Sequence, residues 1–178
     1  QRTLRLMQRK PSHSSTHGPT ESTGFRVAEA LWPRDAQALR SVRETVFVEE
    51  QGVPLDLERD GVDIACLHLL ATSSNGHPVG AARLAPDGHI GRMAVLPPWR
   101  GRGIGKALLK AALELAKQMG MDKVELNAQC HATAFYRQAG FQETGEVFMD
   151  AGIPHIRMVT RIDIHAPETQ AEHHTHTE

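Results

Sequence analysis

Apolar spacing defines most elements of this chain before any motif is considered. From Ile104 onward, Ala107, Leu108, Ala111, Ala112, Leu115 and Met119 recur at helical steps. That puts them on one stripe, with Lys106, Lys110, Glu114 and Lys117 largely off it. Gly120 follows as a C-terminal stop. A second stripe, Leu39, Val42, Val46 and Phe47, predicts a helix that starts near Pro33 and Asp35 and runs to about Val48. A shorter helix is expected from His131 to Ala139, with Ala132, Phe135, Tyr136 and Ala139 on one face and Gly140 as its stop.

Short apolar runs between the helices read as strands: Phe25 to Ala30, Ile64 to Thr72, Val79 to Leu84, Ile90 to Val95, Val124 to Ala128, Phe141 onward, and Pro154 to Arg161. Asn75-Gly76 and Pro86-Asp87-Gly88 mark turns, so the second to fourth strands form an antiparallel meander. Ile90–Val95, the long helix and Val124–Ala128 then make a parallel crossover, a unit that is overwhelmingly right-handed. The pattern predicts an α/β (mixed α+β) fold: one domain over residues 24–162, with a mixed, mostly antiparallel twisted sheet and helices on both faces.

The ends differ from this middle. Residues 1–23 are rich in Ser, His, Thr and Pro and predict a disordered extension. Up to Thr20 they carry Arg2, Arg5, Arg9 and Lys10 and no acid. A flexible extension is expected, with an organelle transit peptide as the alternative. Residues 163–178, with His173, His174 and His176, predict a solvated His-rich tail.

Composition narrows the function classes. The length of 178 residues suits one domain with a real core. A formal net charge of −1 gives no basic field for nucleic acid. No apolar run approaches the ~20 residues that span a membrane. Cys66 and Cys130 make no disulfide framework, and reduced core thiols are expected. These features point to a cytoplasmic protein with no metal.

Chemistry concentrates in Ile90–Lys106, which reads I-G-R-M-A-V-L-P-P-W-R-G-R-G-I-G-K. A strand ends at Pro97-Pro98, and glycines lead into the start of the long helix. Glycines without a Cβ let backbone amides approach a ligand, and the unpaired amides and positive dipole end of a helix favour phosphate oxygens. A Walker loop fails here, because Arg100 and Ala107 replace its first glycine and its hydroxyl residue. A dinucleotide fingerprint fails at Lys106. What fits is [RQ]-x-x-G-x-[GA], as Arg100-Gly101-Arg102-Gly103-Ile104-Gly105.

That loop resembles the acyl-CoA loop of the GNAT superfamily of N-acetyltransferases. Gln129 to Phe141 resembles the second GNAT hallmark, N-x-x-A-x-x-[FL]-Y-x-x-x-G-F, with Gln129 in place of the usual Asn. Arg43 to Pro54 and Ala151 to Met158 are similar to the ElaA-like branch. The resemblance implies acetyl-CoA as co-substrate. It implies that Met93, Ala94 and Val95 pair with the pantetheine arm, and that the amides of Arg100, Gly101, Arg102, Gly103, Ile104, Gly105 and Lys106 take the pyrophosphate. The resemblance also implies Gln129 and Tyr136 as cofactor contacts. The Arg100 and Arg102 side chains either add charge-assisted contacts or are ordinary exposed arginines.

Acetyl transfer needs an uncharged amine and a proton for the departing thiolate. An alkyl ammonium near pKa ~10.4 must lose about 3 units to react at pH 7, so a base or a desolvating pocket is required. Tyr136, the single tyrosine, stands where the family places its general acid. For the base, Ile90–Val95 offers no carboxylate, which leaves Glu50, His68 and His155, with Glu50 preferred, or a water relay. The acids Glu49, Glu50, Asp56, Glu58, Asp60 and Asp63 suit either a substrate-side loop or a solvated connector. The expected function is transfer of acetyl from acetyl-CoA to a primary amine of a small molecule or an exposed protein amine. The protein would be a monomer or homodimer with no nucleic-acid or membrane partner. The alternative is a non-catalytic acyl-CoA-binding or sensing domain.

Overall fold

The computed structural model describes residues 24–165. The expected N-terminal extension with its transit-peptide alternative, and all but the first three residues of the His-rich tail, lie outside the described residues. In chain order the elements are β1 (Phe25–Ala30), α1 (Ala36–Arg43), a π-helical segment (Glu44–Glu50), α2 (Leu55–Glu58), β2 (Leu67–Ser73), β3 (Pro78–Leu84), β4 (Ile90–Val95), α3 (Ile104–Gln118), β5 (Lys123–Gln129), α4 (Thr133–Gln138), β6 (Gln142–Asp150) and β7 (Ile153–Arg161).

The strands form two antiparallel half-sheets, ordered β1-β2-β3-β4 and β5-β7-β6. One isolated parallel bridge, His89 to Glu125, joins them, with the Glu125 amide donating to the Gly88 carbonyl at 3.1 Å. Gly88 is required there, because a Cβ would lie 2.9 Å from the Lys123 carbonyl oxygen. Past this bridge β4 and β5 carry no ladder between them. The expected parallel crossover is present, and the expected mixed sheet is split along it.

Helices cover both faces. α3 buries Ile104, Leu108, Leu109, Ala112, Leu115 and Ala116 against Val79, Ala82 and Leu84 of β3. Each large apolar side chain removed from water contributes about 1.5–3 kcal/mol. Contact is close because residue 80 is glycine: a Cβ there would lie 2.9 Å from Cγ2 of Ile104. Gly80 thereby sets the height of the first turn of α3, and with it the glycine loop. On the other face Leu39, Val42 and Val46 pack on Ala81 and Ala94. No helix among the described residues is long and apolar enough to cross a membrane.

Several boundaries differ from the sequence expectation. The first helix continues to Glu50, but from Glu44 it widens, so that the Gln51 amide reaches the Val46 carbonyl. β2 starts at Leu67; Ile64 sits in a turn and is 77% exposed, because Asp63 is drawn inward by arginines. Met119 lies past the end of α3 and is exposed. Cys66 is buried, whereas Cys130 is only half-buried, in the turn after β5.

Candidate active site

Where β4 and β5 part, a cleft of about 670 Å³ opens. Its walls are Met93–Val95 of β4, Leu126, Asn127 and Gln129 of β5, and Phe47, Glu50 and Gln51 of the π segment and its end. Phe135 and Tyr136 of α4 and the β6–β7 hairpin with His155 complete it. The cleft reaches Arg100 and Gly105 in the glycine loop.

The β4 edge facing this cleft is accessible backbone. Leu96 donates its amide to Val79 across the ladder at 2.9 Å, so alternation turns the polar groups of Val95 the other way, toward the splay. The Val95 carbonyl accepts from Arg100 Nε at 3.0 Å. Arg100 also forms a two-point pair with Glu50, at 2.7 and 3.0 Å. Two residues expected in separate roles, phosphate contact and base, are therefore bound to each other. Arg100 lowers the Glu50 carboxyl below its ordinary range, which makes Glu50 a weak proton acceptor.

The loop fits a pyrophosphate. Gly101 (φ 76°) and Gly103 (φ 86°) hold left-handed backbone, and the space over each is open. Gly103 precedes the first turn of α3 with no side-chain cap, which leaves the amides of that turn outward-facing. Gly105 serves a different purpose: Phe135 packs 3.5 Å from where its Cβ would be. Arg102 lies over the Trp99 ring at 4.6 Å, and Lys106 is exposed.

Tyr136 is wedged between Phe135 and Phe141, and its hydroxyl points at the Met93 sulfur, 3.8 Å away. Burial pushes the phenol up to about 12, so its proton stays in place at neutral pH. Gln129 meets Gln51 in a reciprocal amide pair, at 2.9 and 3.3 Å, which joins the end of β5 to the end of the π segment. His155 stacks on Phe148, and its Nδ1 is 2.7 Å from the Ile153 carbonyl. A carbonyl only accepts, so Nδ1 carries the hydrogen and Nε2 keeps a free lone pair in neutral imidazole. His68 is elsewhere: it is 1% exposed, stacked on Trp32, bound to the Asp63 carbonyl and absent from the cleft lining.

The connector holds residues whose roles were not legible in sequence. Arg43, 1% exposed, binds Glu58 at 2.9 and 3.0 Å and Asp63 at 2.8 and 3.1 Å. Arg83 binds Asp60 at 2.6 and 3.0 Å and Asp63 at 3.0 Å. Arg92 of β4 binds Glu58 at 2.9 Å and Asp60 at 3.1 Å. Three guanidinium groups thus face three carboxylates, and neither the substrate-loop nor the solvated-connector reading describes Glu58 and Asp63. The only available signal was arginines in otherwise apolar strand and helix positions, where an unpaired charge would be costly.

A glycine-rich helix start after β4 is the arrangement expected from the motifs, the splay of β4 and β5 is not, and comparison with known proteins decides the family. The Acetyltransferase (GNAT) domain profile matches residues 44–162. The chain belongs to the GNAT acetyltransferase family. Among curated GNAT relatives, an uncharacterized N-acetyltransferase of Bacillus subtilis, YjcF, is 38% identical over 122 residues, covering 66% of this chain and 86% of its own. A Pseudomonas aeruginosa acyl-CoA N-acyltransferase superposes with a TM-score of 0.69 at 33% identity, covering 76% of this chain and 99% of that one. Escherichia coli ElaA superposes with a TM-score of 0.68 at 31% identity, with the same coverage. As a GNAT protein the chain is an acyltransferase by family.

Proposed function

We propose that this GNAT protein transfers an acetyl group from acetyl-CoA to a primary amine by direct attack within the β4–β5 cleft. The observation that carries the reading is the position of Tyr136, whose hydroxyl reaches over β4 to a sulfur atom at the junction of the splayed strands. A thioester arm laid along the β4 edge, whose Val95 carbonyl is taken by Arg100, brings its own sulfur to that hydroxyl in place of the Met93 thioether. The amides of Gly103, Ile104, Gly105 and Lys106 and the positive end of α3 hold the pyrophosphate. Cytoplasmic location is the setting we assign to this activity.

His155 Nε2 takes one proton from the incoming ammonium and passes it to solvent, in preference to Glu50, whose two oxygens are held by Arg100. The neutral amine nitrogen then bonds to the acetyl carbon, the carbon–sulfur bond breaks, and a second proton passes from nitrogen to sulfur. Tyr136 supplies the hydrogen bond to the departing sulfur. Full transfer from a phenol near 12 to a thiolate near ~8.5 is uphill by roughly 5 kcal/mol. Tyr136 therefore gives up its hydrogen only as the proton from nitrogen replaces it. Amine-dependent release of free CoA thiol tests the reading, and binding of acetyl-CoA with no release for any amine contradicts it.

A further inference from the structure

β4 is not a regular strand. Gly91 pairs with Arg83 and Ala94 with Ala81, so Arg92 and Met93 together oppose the single residue Ala82. Arg92 takes φ 49°, a left-handed conformation that a long L side chain seldom adopts unless its surroundings impose it. A bulge of this kind takes one residue out of the ladder and re-aims its neighbours. Here the neighbour is Met93, directly under the Tyr136 hydroxyl.

What imposes the bulge is visible. Arg92 Nε donates to Glu58 Oε2 at 2.9 Å, and Nη2 reaches Asp60 Oδ2 at 3.1 Å and the carbonyls of Leu57 and Glu58 at 3.2 Å. Glu58 is itself immobilised by Arg43, and Asp60 by Arg83. Both Glu58 oxygens are occupied, so Glu58 lines the cleft without being free to take a proton. The cluster is charge-balanced, so it presents no net field to a substrate. Its effect on the site is geometric.

We propose that Arg92 is a positioning residue for acyl transfer: anchored on Glu58 and Asp60, it holds β4 in the bulged register that sets Met93 under the Tyr136 hydroxyl and shapes the edge on which the acetyl group lies. This rests on the acetyltransferase reading above. The test compares Arg92→Ala with Arg92→Gly. Both lose the anchor, but glycine adopts φ 49° without strain and keeps the bulge accessible. With acetyl-CoA and an amine that the wild type accepts, Arg92→Ala lowers kcat by about 10²-fold, the scale of an ångström of misplacement. The KM for acetyl-CoA rises by less than about tenfold, so the effect falls mainly on kcat, and Arg92→Gly recovers about tenfold of the kcat loss because glycine holds φ 49° without strain. Equal kcat in the two variants, or wild-type kcat in Arg92→Ala, overturns the proposal.

An acceptor-free readout separates this from failure of the enzyme reading. By titration calorimetry the wild type binds acetyl-CoA more tightly than CoA, Arg92→Ala loses that preference, and Arg92→Gly retains it. The same preference in all three proteins overturns the proposal even if no amine turns over.

Discussion

Arg100 and Glu50, far apart in sequence, close a two-point ion pair at the cleft, with Nη2 to Oε1 at 2.7 Å and Nη1 to Oε2 at 3.0 Å. The pair is partly exposed, so its contribution to stability is about 1 kcal/mol or less. Its consequence is spatial. It ties the π segment, which borders the acceptor side, to the loop that leads into α3. Through Arg100 Nε it also fixes the Val95 carbonyl.

Because both Glu50 oxygens are engaged, His155 is the base we propose. Glu50→Gln is expected to lower kcat by less than about tenfold, and His155→Ala by about 10²-fold or more. Steady-state rates at saturating acetyl-CoA measure both. A larger loss in Glu50→Gln reverses the order.

The glycine loop and its support separate affinity from stability. In Gly103→Val the side chain meets open space but must hold φ 86° and covers the amides of the helix start. Acetyl-CoA affinity should fall by more than about tenfold, with a stability cost of roughly 1–2 kcal/mol from the left-handed backbone. In Gly80→Val the new Cβ meets Ile104 at 2.9 Å, and overpacking costs about 1–3 kcal/mol while the start of α3 is displaced. Calorimetric titration together with thermal melting distinguishes the two, and unchanged affinity in Gly103→Val removes the cradle.

Arg43 is expected to be a stability residue. Arg43→Ala leaves Glu58 and Asp63 buried without their main partner, and breaking such a pair costs about 3–5 kcal/mol. At roughly 2–4 °C per kcal/mol for a domain of this size, the melting temperature drops by about 10 °C. Arg59→Ala, which breaks the exposed pair with Glu44, should cost about 1 kcal/mol or less. Differential scanning calorimetry on the two variants checks the contrast; comparable losses contradict it.

Stability should fall as the solution is acidified, in two windows. Burial lowers the His68 pKa from 6.5, so below about that pH the unfolded chain binds a proton that the folded chain refuses. For Asp60, burial works against ionisation, but the bonds from Arg83 outweigh it and hold the carboxyl at about 2. Its contribution is complete above 3.8 and is lost as pH falls from there toward 2. Each group adds at most about 1.4 kcal/mol per pH unit. Urea midpoints from pH 7 to 5 should flatten in His68→Gln. An unchanged slope assigns that window to other groups.

The donor half of the site was legible because its requirements are local. Gly101 and Gly103 supply left-handed backbone, a proline pair ends the strand, and a helix stripe follows, all within one stretch of sequence. Tyr136 was legible because it is the single tyrosine and fills the tyrosine position of the second GNAT hallmark. The acceptor half was not, because it is assembled across long separations. Gln129 meets Gln51, Arg92 meets Glu58, and Glu50 meets Arg100 only in the folded chain. The bulge at Arg92 left no trace in apolar spacing, since its extra residue is held by side chains from the connector. His68 reads as a catalytic candidate by type, and only packing against Trp32 removes it from the cleft.

The most direct test of the central claim is the rate of free thiol release from acetyl-CoA over a panel of primary amines, for the wild type and Tyr136→Phe. The account predicts amine-dependent release by the wild type. It predicts a loss of about 10²-fold or more in Tyr136→Phe, with acetyl-CoA affinity nearly intact. Release that does not depend on amine, or equal turnover in the two proteins, would contradict it.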